Sequence, residues 1–357
     1  MSVLDLSASS IELTKALCDI ESVSGNETTL ADAIHAALSH VGHLEVVRDG
    51  DSIVARTTLG RPHRVVIAGH IDTVPVNDNL PTRYESVDGR EYLWGRGTVD
   101  MKAGVAVQLK LAAELARPQA DVTWIWYDHE EVDSSLNGLG RLAATRPDLL
   151  AGDFAILGEP TNAGVEGGCN GTLRVDVRTR GVRAHSARAW VGRNAIHAAA
   201  GILTALADYE PREVEVDGLV FREGLNAVRI TGGVAGNVIP DECVVHVNYR
   251  FAPNRLAAEA IAHVREVFAG FETTLVDVAE GARPGLDAPL AKDFMAAVGG
   301  SANPKYGWTD VARFAALGIP AVNFGPGDPL KAHADDERVE VEQITRCEIA
   351  LRAWLGA

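Results

Sequence analysis

The chain has 357 residues, of which 46% are hydrophobic and 23% are charged. These proportions are typical of a globular protein and exclude a disordered, collagen-like or disulfide-scaffold chain. Asp and Glu number 49 against 33 Lys and Arg, which gives a formal net charge of −16. A surface this acidic repels phosphate backbones and anionic lipids, so we expect neither a nucleic acid nor a membrane as a partner.

Three further features predict a cytoplasmic location. The four cysteines lie far apart and form no Cys-x-x-Cys pair, so we expect reduced thiols packed as small hydrophobic side chains. The segment from Met1 to Asp5 lacks the basic and apolar regions of a signal peptide. The longest apolar stretch, at 198–207, is about half the length of a membrane span.

The first 170 residues alternate between helical spacing of apolar residues and short continuous apolar runs. Helices are expected at 11–20, 29–38 and 103–115, and strands at 64–69, 122–127 and 154–157. The runs are rich in β-branched and aromatic residues, as in strands of a parallel sheet that is covered on both faces. This part of the chain is therefore predicted to be an α/β domain.

The pattern changes near residue 172, where apolar and charged residues begin to alternate strictly. Such alternation predicts a sheet with one face in water. The elements expected from here are a strand at 172–180, a helix at 193–208, strands at 225–233 and 243–251, a helix at 254–268 and a strand at 272–279. This βαββαβ order is that of a ferredoxin-like unit.

Beyond residue 285 the buried-strand and helix patterns return, at 319–324 and 341–354. We therefore predict a discontinuous α/β domain, formed by 1–171 and 284–357, into which a ferredoxin-like domain is inserted at 172–283.

Side chains that can bind a metal follow the apolar runs of the α/β domain or lie in its loops. They are His70, Asp72, Asp100, Glu130, Glu131, Glu159 and His333. Each one alone is more readily explained by a turn or a solvated loop than by a metal site. Together they would meet at the carboxyl edge of the sheet, where carboxylates repel one another unless cations lie among them. Imidazole with carboxylate donors favours a two-zinc site over magnesium or calcium.

Longer motifs surround these residues. They are GHIDTVP at 69–75, WGRGTVDMKAG at 94–104, EE at 130–131, GEP at 158–160, AHS at 184–186, NVIP at 237–240 and the histidine at 333. Their types and order resemble the co-catalytic zinc aminoacylase and carboxypeptidase superfamily over nearly the whole chain. The stretches EGGCNGTLR at 166–174, HSARAW at 185–190 and YGWTD at 306–310 are similar to actinobacterial succinyl-diaminopimelate desuccinylases in particular.

The resemblance implies a zinc-exopeptidase-like catalytic domain and an inserted lid that also forms a homodimer. Asp100 would bridge two zinc ions, for which cobalt or manganese can substitute. One ion would also be bound by His70 and Glu159, and the other by Glu131 and His333. Asp72 would hold the His70 ring in the required tautomer.

The resemblance also implies the catalytic groups. Glu130 would be the general base that takes a proton from water and passes it to the departing amine. His185, supplied by the partner's lid, would donate a hydrogen bond to the carbonyl oxygen.

The substrate is expected to be a dicarboxylic N-acyl amino acid. Arg250 matches a family arginine that binds a substrate carboxylate, and Asn237 matches a lid residue that contacts the substrate. From its position alone, Arg188 could reach the ligand or be an ordinary surface arginine. Thr309 could position the substrate or serve only in a turn.

The activity implied is hydrolysis of N-succinyl-LL-2,6-diaminopimelate to succinate and LL-2,6-diaminopimelate, a step toward lysine and the cell wall. Desuccinylases from other bacterial groups carry two arginines where this chain has Cys169 and Asn170, and Trp308 occupies a place that is usually filled by a small residue. These departures keep open another N-acyl-amino-acid deacylase, such as an acetylornithine deacetylase, or a dipeptidase. A non-catalytic, metal-stabilised dimer that binds a metabolite is a further alternative, but it has no need of the base Glu130.

Overall fold

The computed structural model describes residues 4–356. The first three residues of the segment considered for a signal peptide, Met1–Val3, lie outside that range. The chain divides into two compact units. The first contains the residues up to Gly167, Pro284–Asn303 and those from Arg313 onward, and the second contains Gly168–Arg283 and Pro304–Ala312.

The segment 304–312 groups with the second unit, whereas the sequence had placed it in the discontinuous α/β domain. Hydrogen bonds explain the difference. Asn170 N donates to Lys305 O at 3.2 Å, and Trp308 Nε1 donates to Glu280 O at 3.1 Å. These contacts join residues distant in sequence, so local patterns do not reveal them.

An eight-stranded mixed sheet forms the centre of the first unit. In spatial order its strands are Glu45–Asp49, Ser52–Arg56, Asp121–Tyr127, Arg64–His70, Phe154–Leu157, Ala321–Asn323, Glu166–Gly167 and Asn303–Pro304. The central four pair in parallel, as the continuous apolar runs predict. The side chains of Asp121–Tyr127 are buried along its whole length, which identifies this strand as the middle of the core.

Helices and a small antiparallel sheet complete the first unit. The helices are Ser10–Cys18, Thr28–Leu38, Lys102–Glu114, Gly138–Thr145, Pro147–Leu150, Pro289–Val298 and Val341–Trp354, while Val311–Ala316 crosses the boundary between the units and Pro329–Lys331 is a 3-10 turn. The small sheet contains Arg83–Val87, Arg90–Trp94 and Arg338–Glu340. The helix Lys102–Glu114 is buried over most of its surface, which fits its largely apolar sequence.

The second unit contains a four-stranded antiparallel sheet with helices. The strands in spatial order are Gly224–Gly232, Glu242–Phe251, Gly171–Arg180 and Glu272–Ala279, and the helices are Ala195–Ala198, Ala200–Ala207 and Ala257–Val267. The order and connections are those of the predicted ferredoxin-like unit. Two short strand pairs, Ala184–His185 with Val238–Ile239 and Glu213–Val216 with Leu219–Arg222, are additional, as is the 3-10 helix Ser186–Val191.

Candidate metal centre

The candidate centre lies in the first unit, where parallel strands end. The strands 64–70, 121–127, 154–157 and 321–323 each lead into one or more of the predicted residues, which are His70, Glu130, Glu131, Glu159 and His333. Asp100 lies in the loop before the helix Lys102–Glu114. The carboxyl ends of parallel strands are the usual binding edge of an open α/β sheet, so these side chains come from the expected place.

The Asp100 carboxylate lies between two histidines. Its Oδ1 is 3.1 Å from His70 Nε2, and its Oδ2 is 3.3 Å from His333 Nε2. Glu131 Oε1 is 2.9 Å from the same His333 nitrogen. One ligand atom from each of His70, Asp100 and Glu131 lies within 4.8 Å of the other two. A carboxylate that presents one oxygen to each histidine is suited to bridge two cations.

Glu159 follows the strand Phe154–Leu157, and its side chain is buried. Its backbone packs against Gly325, where an added Cβ would lie 2.6 Å from Glu159 O. A larger residue at Gly325 would therefore displace this turn. The role of Glu159 as a ligand stays a prediction.

The charges of the centre favour bound cations. Hydrogen bonds to Asp100 and Glu131 raise the pKa of His333 to about 10. Burial acts to lower the pKa of His70, but its contacts with Asp100 and Asp72 outweigh burial and raise that pKa well above its usual value. Without a metal, the carboxylates therefore hold protons on both imidazoles. Divalent metals of the zinc type bind imidazole nitrogen and carboxylate oxygen together, so the donor set fits them.

Asp72 connects a histidine to the segment that carries Glu130. Its side chain is fully buried, and its two oxygens accept the backbone N–H groups of Glu130 and Glu131, each at 3.0 Å. The Nδ1 atom of His70 is 3.0 Å from Asp72 O and 3.5 Å from Asp72 Oδ1. Because two Asp72 oxygens face Nδ1, that nitrogen would keep its proton when a metal displaces the proton from Nε2.

Replacing Asp72 with asparagine is expected to lower zinc affinity or kcat/KM by about 10- to 100-fold, the usual effect of losing a residue that supports a ligand. An asparagine Nδ2 would face a backbone N–H instead of accepting from it. Zinc titration of the metal-free protein and steady-state kinetics measure the effect. The control is Asp88→Asn, in a turn at φ 50° that asparagine tolerates equally well. Unchanged affinity and unchanged kcat/KM in D72N would contradict this role.

The sequence did not reveal the residues that hold the loop before Glu130. His129 N donates to Glu27 Oε1 at 3.2 Å, and the ring Nδ1 of His129 is 2.8 Å from Asp128 Oδ2. Arg141 Nη2 donates to Asp128 Oδ1 at 2.7 Å. His129 adopts a left-handed conformation with φ 58°, which is unfavourable for a residue with a Cβ and persists here because these contacts fix it. No sequence pattern links residues 27 and 129.

The second unit contains the other predicted residues, and two of them lie side by side. His185 pairs with Val238 in a short ladder, and Ser186 N donates to Asn237 O at 2.9 Å. The Nδ1 of His185 accepts a hydrogen bond from Ala187 N at 3.0 Å. In the neutral ring the proton therefore sits on Nε2, which makes this exposed group a hydrogen-bond donor.

The remaining residues of the second unit are dispersed. Arg188 is exposed in the 3-10 helix Ser186–Val191, and Thr309 is buried. Arg250 is half-buried, its Nε donates to Asn248 Oδ1 at 3.1 Å, and burial lowers its pKa. It lies at one end of Glu242–Phe251, whereas Val238, the partner of His185, precedes the other end. Eight residues of strand at roughly 3.3 Å each separate these ends by roughly 26 Å.

Comparison with known proteins reveals close relatives. The chain is 54% identical over 357 residues to a protein from Mycobacterium tuberculosis named putative succinyl-diaminopimelate desuccinylase DapE, covering 99% of this chain and 100% of the relative. It is 48% identical over 364 residues to a succinyl-diaminopimelate desuccinylase from Corynebacterium glutamicum, covering 99% and 98%.

Solved structures share the fold. An M20 family metallo-carboxypeptidase from Sulfolobus solfataricus matches with a TM-score of 0.79 at 16% identity, covering 98% of each chain. A dinuclear metal binding peptidase of the M20 family from Bacillus subtilis matches with a TM-score of 0.71 at 16% identity, covering 97% and 96%. Among residues 4–356, no helix has the length and apolar character needed to cross a membrane.

The profile of peptidase family M20/M25/M40 matches residues 66–356, which is most of the chain and includes every candidate metal ligand. The sequence motifs, the α/β fold with its ferredoxin-like second unit, and the full-length relatives agree with that match. The chain belongs to peptidase family M20/M25/M40 and is a metal-dependent amide hydrolase.

Proposed function

We propose that this protein hydrolyses N-succinyl-LL-2,6-diaminopimelate to succinate and LL-2,6-diaminopimelate. The observation that carries the proposal is the Asp100 carboxylate shared between His70 and His333, in a chain whose full-length relatives are named desuccinylases. The reaction is a step in making lysine and diaminopimelate. We further propose a cytoplasmic location, which the four unpaired, buried cysteines support.

We propose that the resident cofactor is a pair of zinc ions. Asp100 would bind both, with His70 and Glu159 completing the ligands of one ion and Glu131 and His333 those of the other. The solved dinuclear relative supports a two-ion centre. When bound, the ions supply Lewis acidity that polarises the amide carbonyl and lowers the pKa of water. Cobalt or manganese would fit the same donors.

Residues of the chain then transfer the proton and stabilise the negative charge that develops. The Glu130 carboxylate takes the proton from the attacking water and delivers it to the amide nitrogen as the C–N bond breaks. Asp72 holds the backbone of Glu130 while it does so. The Nε2–H of His185 donates to the carbonyl oxygen as negative charge develops there.

Arg250 would bind a substrate carboxylate. No carboxylate of the described residues forms an ion pair with it, and Asn248 holds its Nε, so the terminal nitrogens of its fork can meet a ligand. Arg250→Ala is expected to lower kcat/KM by about 10²- to 10³-fold, mainly through KM, because binding loses a charge-assisted pair. The matched control is Arg174→Ala, whose guanidinium binds Asp277 at 2.9 Å instead. An unchanged KM in R250A would refute the assignment.

We also propose that the protein is a homodimer formed through the second unit. The edge strand Gly224–Gly232 has a sheet neighbour on one side only. Of the described residues, four large apolar side chains on this strand and the helices beside it are exposed, namely Ile196, Leu203, Val228 and Ile230. A long edge strand with exposed apolar residues invites pairing with a second copy.

Arg250 and His185 lie at opposite ends of the sheet in one chain, but a two-fold dimer through this edge would bring the Arg250 end of one chain to the same side as the His185 end of the other. Antiparallel pairing of the two edge strands makes the partner's sheet run in the opposite direction. The His185 end of one sheet then lies on the same side as the Arg250 end of the other. The proposed dimer would therefore be compatible with the expectation that His185 acts on the partner's substrate.

Val228→Lys is expected to give a monomer, because an edge lysine disfavours strand pairing. Sedimentation or light scattering reads out the mass, and turnover should fall with the dimer. The control is Val276→Lys. Both valines are exposed, at 65% and 57%, and both lie at bulges on opposite edge strands of the same sheet. A monomeric wild type, or V228K and V276K both remaining dimeric, would exclude this interface.

The principal alternative is another N-acyl-amino-acid deacylase or a dipeptidase. The resemblance favours it at one place, because desuccinylases from other bacterial groups carry arginines in place of Cys169 and Asn170. The test is release of free amine from N-succinyl-LL-diaminopimelate, N-acetylornithine and a dipeptide by the zinc-loaded protein. We expect release from the succinyl substrate alone. Release only from another substrate would keep the mechanism and overturn the proposed specificity.

A further inference from the structure

A buried ion pair lies beside the candidate centre without contributing a ligand. Arg96 Nη1 is 2.7 Å from Glu337 Oε2, and the two side chains are 4% and 1% exposed. The residues are 241 positions apart in the chain. A buried ion pair needs further hydrogen bonds to offset its loss of hydration. The partners in those bonds identify the segments that the pair positions.

Glu337 binds the segment that carries Asp100. Its Oε1 accepts hydrogen bonds from Val99 N at 2.9 Å and from Asp100 N at 3.2 Å. Its backbone oxygen accepts from Gly95 N at 2.9 Å. The carboxylate thereby fixes the backbone position from which the Asp100 side chain extends.

Arg96 binds the segment that carries His333. Its Nη1 donates to Ala334 O at 3.3 Å, and its Nε donates to Pro75 O at 3.2 Å. Ala334 directly follows His333, which has a left-handed backbone with φ 62°. The guanidinium therefore holds the chain where this unfavourable conformation must be maintained.

We propose that Arg96 and Glu337 are positioning residues that fix the spacing between the Asp100 carboxylate and the His333 imidazole. They thereby set the affinity for the ion bound by Glu131 and His333. This inference rests on the proposed two-ion centre. The pair joins the loop that carries Asp100 to the loop that carries His333. The ion bound by Glu131 and His333 takes a ligand from each of these two loops. The other ion takes only Asp100 from them. Loss of the pair should therefore weaken one ion far more than the other.

The isosteric change Glu337→Gln alters the charge and the hydrogen-bonding pattern of the side chain but keeps its shape. All three contacts of the Glu337 side chain come from N–H donors, namely Arg96 and the backbone at 99 and 100. A glutamine has one oxygen and one NH₂ group. Whichever way the amide is turned, its NH₂ faces a donor, so one of the two loops is released.

The experiment titrates metal-free wild type, E337Q and E340Q with zinc and follows the heat of binding and the stoichiometry. Glu340→Gln is the matched control, because Glu340 lies three positions further along the same segment and pairs with the exposed Arg90 at 3.3 Å. Wild type and E340Q should bind two zinc ions per chain with the same affinities. E337Q should bind the first ion as wild type does and the second about 10- to 100-fold more weakly.

The titration distinguishes failure of the two-ion centre from failure of the positioning role. If wild type binds fewer than two ions, the two-ion centre fails and the inference fails with it. If wild type binds two and E337Q matches both affinities, the positioning role alone is wrong.

Circular dichroism of the metal-free proteins checks that the variants fold, and Arg96→Lys is a second variant that keeps the charge but loses the fork. Selective weakening of one ion in a folded R96K would support the role equally. If both variants fail to fold, the pair acts on stability and the proposal is overturned.

Discussion

Glutamine in place of Glu130 should reduce kcat by about 10²- to 10⁴-fold while the protein keeps its metal. That range is the usual contribution of a positioned general acid–base group. The amide cannot take a proton from water at neutral pH, but it preserves the size of the side chain. The backbone N–H of residue 130 donates to Asp72, and this bond does not involve the Glu130 side chain, so we expect the loop to keep its position. Steady-state kinetics and zinc content per chain provide the two measurements.

Glu340→Gln again serves as the control, since it removes a carboxylate with no role in the centre, and it should match wild type in both measurements. Turnover by E130Q at the wild-type rate, with zinc still bound, would remove the base assignment. It would also restore the idea of a metal-stabilised binding protein, in which a base has no function. If E130Q loses both its zinc and its turnover, Glu130 contributes to metal binding instead.

The second large effect is expected for Asp100→Asn. An asparagine presents only one oxygen, so it cannot face His70 and His333 with an acceptor on each side, as Asp100 does. From the proposed two zinc ions we expect binding to fall to one ion or fewer, and kcat/KM to fall by at least about 10³-fold, since the ions would supply the Lewis acidity. Two bound ions with wild-type affinity would contradict the bridging role.

The same variant gives a measurement that needs no metal. The hydrogen bond to Asp100 is the foremost cause that raises the pKa of His333 to about 10 in the metal-free protein. With a neutral amide there, the pKa of His333 should move down toward its ordinary value, which NMR titration detects. An unshifted His333 would mean that Glu131 alone accounts for the raised pKa.

Much of the fold was predictable, because hydrophobic periodicity is a local property. The parallel strands at 64–70, 121–127 and 154–157 lie where the apolar runs occur. The helix Val341–Trp354 has the expected bounds, and the βαββαβ order of the second unit is confirmed. Its first helix differs. The expected helix at 193–208 is divided into Ala195–Ala198 and Ala200–Ala207.

Three hairpins were missed in the part of the chain that the structure describes. One of them joins Glu45–Asp49 to Ser52–Arg56, and the other two contain an Asp-Gly signal. The strands Arg83–Val87 and Arg90–Trp94 are joined through Asp88-Gly89, and Glu213–Val216 and Leu219–Arg222 through Asp217-Gly218. Both residues of each pair have positive φ, which is the conformation that the tightest hairpin turns require. An Asp-Gly pair between alternating residues was therefore sufficient evidence for each hairpin.

The candidate centre was partly predictable for a different reason. Most of the candidate ligands follow strands, and all are of recognisable chemical types, so they can be identified as candidates from the sequence. The groups that hold the loops of the centre act through backbone N–H donors more than 100 positions away, as Glu27 does for His129 in the loop before Glu130 and Glu337 does for Asp100. A carboxylate that accepts from a distant backbone leaves no periodic or compositional signal.

The candidate ligands come from far apart in the chain, and this couples metal binding to folding. His333 is 202 positions from Glu131, which it contacts, and the whole of Gly168–Arg283 lies between them in sequence. An unfolded chain cannot assemble such a centre, so each bound ion adds its binding free energy to that of folding. With free metal at 100 times its dissociation constant, this amounts to about 2.7 kcal/mol per site. During synthesis, a ribosome-bound chain that has made all the other ligands still lacks His333, so the last ligand made would close the centre. The melting temperature of the finished enzyme would then depend on the supply of its metal in the cell.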